Sequence, residues 1–109
     1  MKEFTLRELC ERCGASRRAV QGYEKYGLLS PCGKTKYGYL LYDKSAVEKA
    51  KRIKSLQNYG FSLKEIKLYF ESNSDIQKIL LKQKLVVLEE KCSLLVSFIE
   101  EIKTITKDK

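Results

Sequence analysis

From Ile76 to about Thr106 the chain contains neither proline nor glycine, and its apolar residues keep one spacing throughout. Leu81, Leu85, Leu88, Cys92, Leu95, Ile99 and Ile102 are separated alternately by four and three residues. That is the a/d pattern of a helix that packs along a single seam. Val87, Leu94, Phe98 and Ile105 widen the stripe on one side. A helix bearing this seam extends roughly 30 Å at about 1.5 Å per residue. The preceding 75 residues offer too little apolar surface to cover it, whereas a second copy of the same helix would. The seven seam residues are therefore candidate dimerisation residues, and 76–109 reads as a coiled-coil element with a short tail.

The rest of the chain is punctuated far more often. Thr5 and Glu8 have capping-box spacing, Leu6, Leu9, Cys10 and Cys13 follow at helical intervals, and Gly14 stops the helix at about 6–13. Ser16 suits the cap of a second helix, about 17–26, with Ala19, Val20 and Tyr23 on its apolar side and Gly27 at its end. Only Gly14-Ala15-Ser16 separates the two, the tight turn of a helix-turn-helix. Lys34 to Tyr42, with Gly38 among three tyrosines, reads as a short two-stranded wing. Asp43 would cap a third helix over about 44–59. Ser62 and Glu65 form a second capping box for a fourth helix over about 63–71, and Asn73, Ser74 and Asp75 form a break. The expected fold is thus mainly α, a winged helix-turn-helix head over 1–75 followed by the long C-terminal helix.

Charge says what such a head binds. The chain has 22 basic and 14 acidic residues, a formal net charge of +8, and residues 1–75 hold 15 of the basic against 9 of the acidic ones. A basic excess on the head suits a polyanion, and double-stranded DNA first. Arg17 and Arg18 open the second helix, the end that enters a major groove in this motif. Two cations at a helix N-terminus oppose the macrodipole, which argues for an external anion. Lys34, Lys36, Tyr37 and Tyr39 mix cations and aromatics on the wing, where backbone phosphates would be gripped.

Other chemistry is poorly served. Histidine is absent, no glycine-rich phosphate loop follows a strand, and the carboxylates are scattered, so no enzyme is expected. Cys10 and Cys13 form a C-x-x-C, but no further cysteine pair or histidine completes a metal site, and both fall on the apolar side of the first helix. Packing is the expected role, with no metal and no cofactor. There is no run of 18 apolar residues and no signal-peptide core at the N-terminus, so a cytoplasmic protein without a membrane partner is expected.

In combination these segments resemble the MerR-type regulators. Phe4-Thr-Leu-Arg-Glu-Leu9 is similar to that family's opening, and Gly14-Ala-Ser-Arg-Arg18 with Tyr23-Glu-Lys-Tyr-Gly-Leu-Leu-Ser-Pro31 to its recognition helix and exit. Tyr37-Gly-Tyr39 and Tyr42-Asp43 resemble its wing, and Ile53 to Ile66 its second helix pair. The resemblance implies an antiparallel coiled-coil homodimer that distorts promoter DNA, with RNA polymerase at the promoter as a further partner. It also implies that Gln21, Tyr23 and Gly38 join the DNA-contacting set. A two-fold dimer calls for a near-palindromic operator.

Two departures stand out. Gln21 and Gly22 occupy positions where the family often has an arginine and an aromatic, and Leu40 stands where its wing usually has arginine. On the residues alone two other classes stay open: a thiol- or metal-responsive sensor, and a coiled-coil interaction module with a degenerate head.

Overall fold

The computed structural model describes residues 3–107. The chain divides into two compact units, 1–71 and 72–109.

In the first unit, β1 (Phe4–Thr5) runs directly into α1 (Leu6–Cys13), followed by α2 (Arg17–Lys25), β2 (Gly33–Lys34), β3 (Leu40–Tyr42), α3 (Lys44–Asn58) and α4 (Leu63–Glu71). The local signals act as the residue types require. Thr5 Oγ1 accepts from Glu8 N at 3.2 Å while Glu8 Oε1 accepts from Thr5 N at 2.9 Å, which satisfies two of the donors that a helix start leaves over. Ser16 caps α2 by accepting from Ala19 N, and Asp43 caps α3 by accepting from Ala46 N. Gly14 ends α1 at φ 73°, a left-handed conformation that a side chain disfavours, and so turns the chain into α2 within three residues.

The sheet has three strands where two were expected. β3 lies centrally, antiparallel to both neighbours, with Phe4 opposite Tyr42 and Lys34 opposite Leu40. Phe4–Thr5 escapes detection as a strand because two residues carry no alternation, and Thr5 already reads as a helix cap. The pairing anchors the base of the wing to the start of α1.

One core serves the unit. Leu9 of α1, Val20 and Tyr23 of α2, Tyr42 of β3, Ala50 and Ile53 of α3 and Ile66 of α4 are fully buried. Two tyrosine hydroxyls on this core find acceptors at its edge: Tyr23 donates to Gln57 Oε1 at 2.7 Å and Tyr42 to Glu24 Oε1 at 2.8 Å. Arg52 of α3 donates to Tyr69 Oη at 2.7 Å, joining α3 to α4. No buried side-chain polar atom among the described residues lacks a partner, as a desolvated interior demands.

The second unit is α5 (Ser74–Thr106), a single helix of 33 residues. It begins two residues before the expected start, because Asn73 is its cap, accepting from Ile76 N at 3.0 Å. The polar triplet that reads as a break is thus a cap followed by a first turn. No residue of α5 is buried, and Leu85, Leu88, Leu95, Ile99 and Ile102 of the seam are all exposed, as is Cys92. No described helix is long and apolar enough to cross a membrane.

Candidate nucleic-acid interface

The basic face of the head is assembled from α1, α2 and the wing. Arg17 and Arg18 are the first two residues of α2 and both are exposed, with Gln21 one turn further along and also exposed. The cap on Ser16 fixes the helix start, so the two guanidiniums project from a defined end.

The wing tip is held by its own hydrogen bonds. Thr35 N donates to the Tyr39 carbonyl at 2.8 Å, and Thr35 Oγ1 accepts from the amides of Tyr37 and Tyr39, each at 3.2 Å. Gly38 sits at φ 87°, which the reversal needs and a residue with a Cβ resists. The result is a rigid tip on which Tyr37 and Tyr39 are 75% and 69% exposed. The Lys36 ammonium lies 5.2 Å from the Tyr37 ring centroid, and Lys34 is exposed at the end of β2.

Between the start of α1, the start of α2 and the wing lies a groove of about 440 Å³, bordered by Thr5, Arg7, Arg17, Thr35, Tyr39 and Leu40. Of the expected DNA-contacting residues it brings together Arg17, Gly38 and Tyr39; Arg18, Gln21, Lys34, Lys36 and Tyr37 lie outside it. Arg7 was not anticipated. Its side chain is 81% exposed and pairs with Glu11 Oε1 at 3.3 Å. The only signal for it in the sequence is an arginine on the polar side of a short helix, which is commonplace. Leu40, standing where an arginine is usual, borders the same groove, so Arg7 and Arg17 supply positive charge beside it.

Tyr23 is a correction. Its ring has no exposed surface and its hydroxyl is engaged by Gln57, so it braces α2 against α3 and is unavailable to DNA. Of the C-x-x-C pair, Cys13 is buried and Cys10 half-buried, while Cys32 and Cys92 are exposed. Cys13 is in the core, and burial pushes the Cys10 thiol above its usual range despite the nearby Arg17.

A model of the MerR HTH family regulatory protein matches residues 4–73. The chain belongs to the MerR family. The matched span is the whole winged head, from β1 to the cap of α5, and the family is one of transcriptional regulators rather than enzymes. Curated MerR relatives include the mercuric resistance operon regulatory protein of Bacillus cereus, 34% identical over 64 residues, which are 59% of this chain and 48% of that protein. The HTH-type transcriptional activator mta of Bacillus subtilis is 30% identical over 90 residues, 82% of this chain and 35% of that one. The chain thus spans less than half the length of each. Among solved structures, the N-terminal part of the Bacillus subtilis multidrug transporter activator, MtaN, superposes with a TM-score of 0.71 at 26% identity, covering 94% of this chain and 96% of that one. HiNmlR, a MerR-family regulator lacking the sensor domain and solved bound to promoter DNA, gives 0.71 at 21% identity over 94% and 86% of the two chains.

Proposed function

We propose that this MerR-family regulator binds promoter DNA as a cytoplasmic homodimer. Two α2 helices enter successive major grooves of a near-palindromic operator, and the two wings hold the flanking backbone. The observation that carries this reading is the groove in which Arg7, Arg17 and the exposed Tyr39 converge, a cationic cleft beside a capped recognition helix. A phosphate there would meet guanidinium donors and a phenol, the groups that fix register on a duplex. Arg18 and Gln21, one helical turn apart on the open face of α2, are the base-reading candidates. The DNA-bound MerR-family structure named above supports the mode of engagement.

Dimerisation runs through α5, along Leu81, Leu85, Leu88, Cys92, Leu95, Ile99 and Ile102, since the single chain leaves this helix without buried residues. Two heads joined by one antiparallel pair would bend or untwist the DNA between half-sites, which is readout through deformation, beside RNA polymerase at the promoter. Selection of bound fragments from the host genome, followed by footprinting, tests the reading. It predicts protection of two inverted half-sites about one helical turn, or a multiple of it, apart. Protection of a single unpaired site would contradict it.

A further inference from the structure

Arg7 stands where folding alone does not favour a cation. It is the second residue of α1, in the first turn, where a positive charge opposes the macrodipole. Its carboxylate partner, Glu11 Oε1 at 3.3 Å, lies one turn further along, so the cation precedes the anion. That is the less favourable order for a pair at this spacing. The two side chains are 81% and 66% exposed, and an ion pair so open to water contributes little to stability. Neither the position nor the pair thus strengthens α1, but both keep a guanidinium at the rim of the cleft between α1, α2 and the wing.

The sheet register explains why that rim matters. Phe4 lies opposite Tyr42 and Thr5 opposite Leu41. The same register continued by one residue brings Leu40 level with Leu6, the neighbour of Arg7. Leu40 and Arg7 therefore border one end of the cleft from β3 and from α1, with Arg17 on its α2 side. Leu40 and Leu6 are half-buried and carry no charge, so Arg7 is the cation at this end.

We propose that Arg7 is an exchangeable phosphate ligand, held at rest by Glu11, and that a phosphate of the DNA backbone displaces this carboxylate, so that α1 delivers the charge that β3 lacks at Leu40. This rests on the reading that α2 and the wing meet DNA. To that reading it adds a third element gripping the backbone and a carboxylate that limits the grip. The exchange favours phosphate. Its oxygens match the guanidinium fork, and each neutralised phosphate releases counterions from the duplex, whereas Glu11 returns to water in which it is already largely immersed. A contact of this kind carries no sequence information.

Binding isotherms of the full chain on a mixed-sequence duplex, taken at several salt concentrations, test it. Arg7→Ala should weaken binding on the order of tenfold, as loss of one charged hydrogen-bonding contact requires. It should also lower the salt slope by about 0.9 unit, the value for one phosphate. Arg7→Ala with Leu40→Arg should recover both, because the two positions reach the same end of the cleft. Glu11→Gln should tighten binding, and should do so far less in the Arg7→Ala background, since long-range repulsion is screened beyond about 8 Å at physiological salt. A slope unchanged by Arg7→Ala would overturn the proposal while leaving DNA binding by α2 and the wing intact. Equal tightening by Glu11→Gln in both backgrounds would overturn the exchange, because Glu11 would then act on DNA without Arg7. Failure of Leu40→Arg to recover the slope would separate the two positions and overturn the substitution of one for the other. Unaltered protein without salt-dependent binding would remove both this proposal and the DNA-binding reading beneath it.

Discussion

The Tyr42 hydroxyl, at the end of the wing's central strand, donates to Glu24 Oε1 in the recognition helix at 2.8 Å. One hydrogen bond thus ties the wing to α2, the two elements that border the proposed DNA cleft. Burial first, and the bonded carboxylate second, push the Tyr42 phenol well above its usual value near 10. A group whose folded-state pKa is raised contributes stability that is fully present below the unfolded pKa. That contribution is lost as pH rises through the folded value. Unfolding should therefore become easier above about pH 10, the unfolded phenol value. In Tyr42→Phe the alkaline slope should flatten, because the titrating group is gone. Denaturant midpoints measured from pH 8 to 11 check this, and an unchanged slope in Tyr42→Phe would refute the assignment.

Gly22 lies inside α2, where glycine is destabilising by about 1 kcal/mol relative to alanine. A Cβ at this position would meet Leu63 Cδ1 at 3.7 Å, ordinary van der Waals contact. Its backbone is not left-handed. Gly22→Ala should accordingly stabilise the head by about 1 kcal/mol, a Tm increase of about 4–8 °C for a domain of this size. Differential scanning calorimetry reads it directly, and a fall in Tm would show that α2 needs the freedom of glycine here.

The proposed α5 dimer is tested by placing charge in its seam, where the single chain leaves Leu88 and Leu95 exposed. Leu88→Lys with Leu95→Lys places four buried cations in the seam of each pair, and sedimentation should report monomers. A variant still dimeric would place the pairing elsewhere on the chain.

Much of this molecule is legible in the chain because its signals are local. Capping asks only for a hydroxyl or carboxylate three residues from an amide, so Thr5, Ser16, Asp43 and Ser62 each mark a helix start correctly. Long-range relations are not written that way. Phe4 pairs with Tyr42 across 38 positions, and nothing adjacent to Phe4 announces a strand. Arg7 borders the same cleft as Arg17 only because the turn at Gly14 folds α2 back beside the start of α1. Tyr23 shows the opposite fault. Its spacing with Val20 places it on the apolar side of α2 whereas the family resemblance implies the DNA surface, and its full burial agrees with the spacing.

The central claim is that the head grips DNA with two kinds of side chain in different roles. In the proposed mode Arg18, exposed in the first turn of α2, reads base edges, and Lys36, beside the Tyr37 ring on the wing tip, holds the backbone. Binding isotherms on operator and scrambled duplexes, taken at several salt concentrations, separate them. Arg18→Ala should cost about 1–3 kcal/mol on the operator and less on scrambled DNA, as loss of a base contact requires. Lys36→Ala should weaken both duplexes alike and reduce the salt slope by about one unit, as loss of a phosphate contact requires. Isotherms unchanged by both substitutions would contradict the account, and the face formed by α2 and the wing would not be where this protein meets DNA.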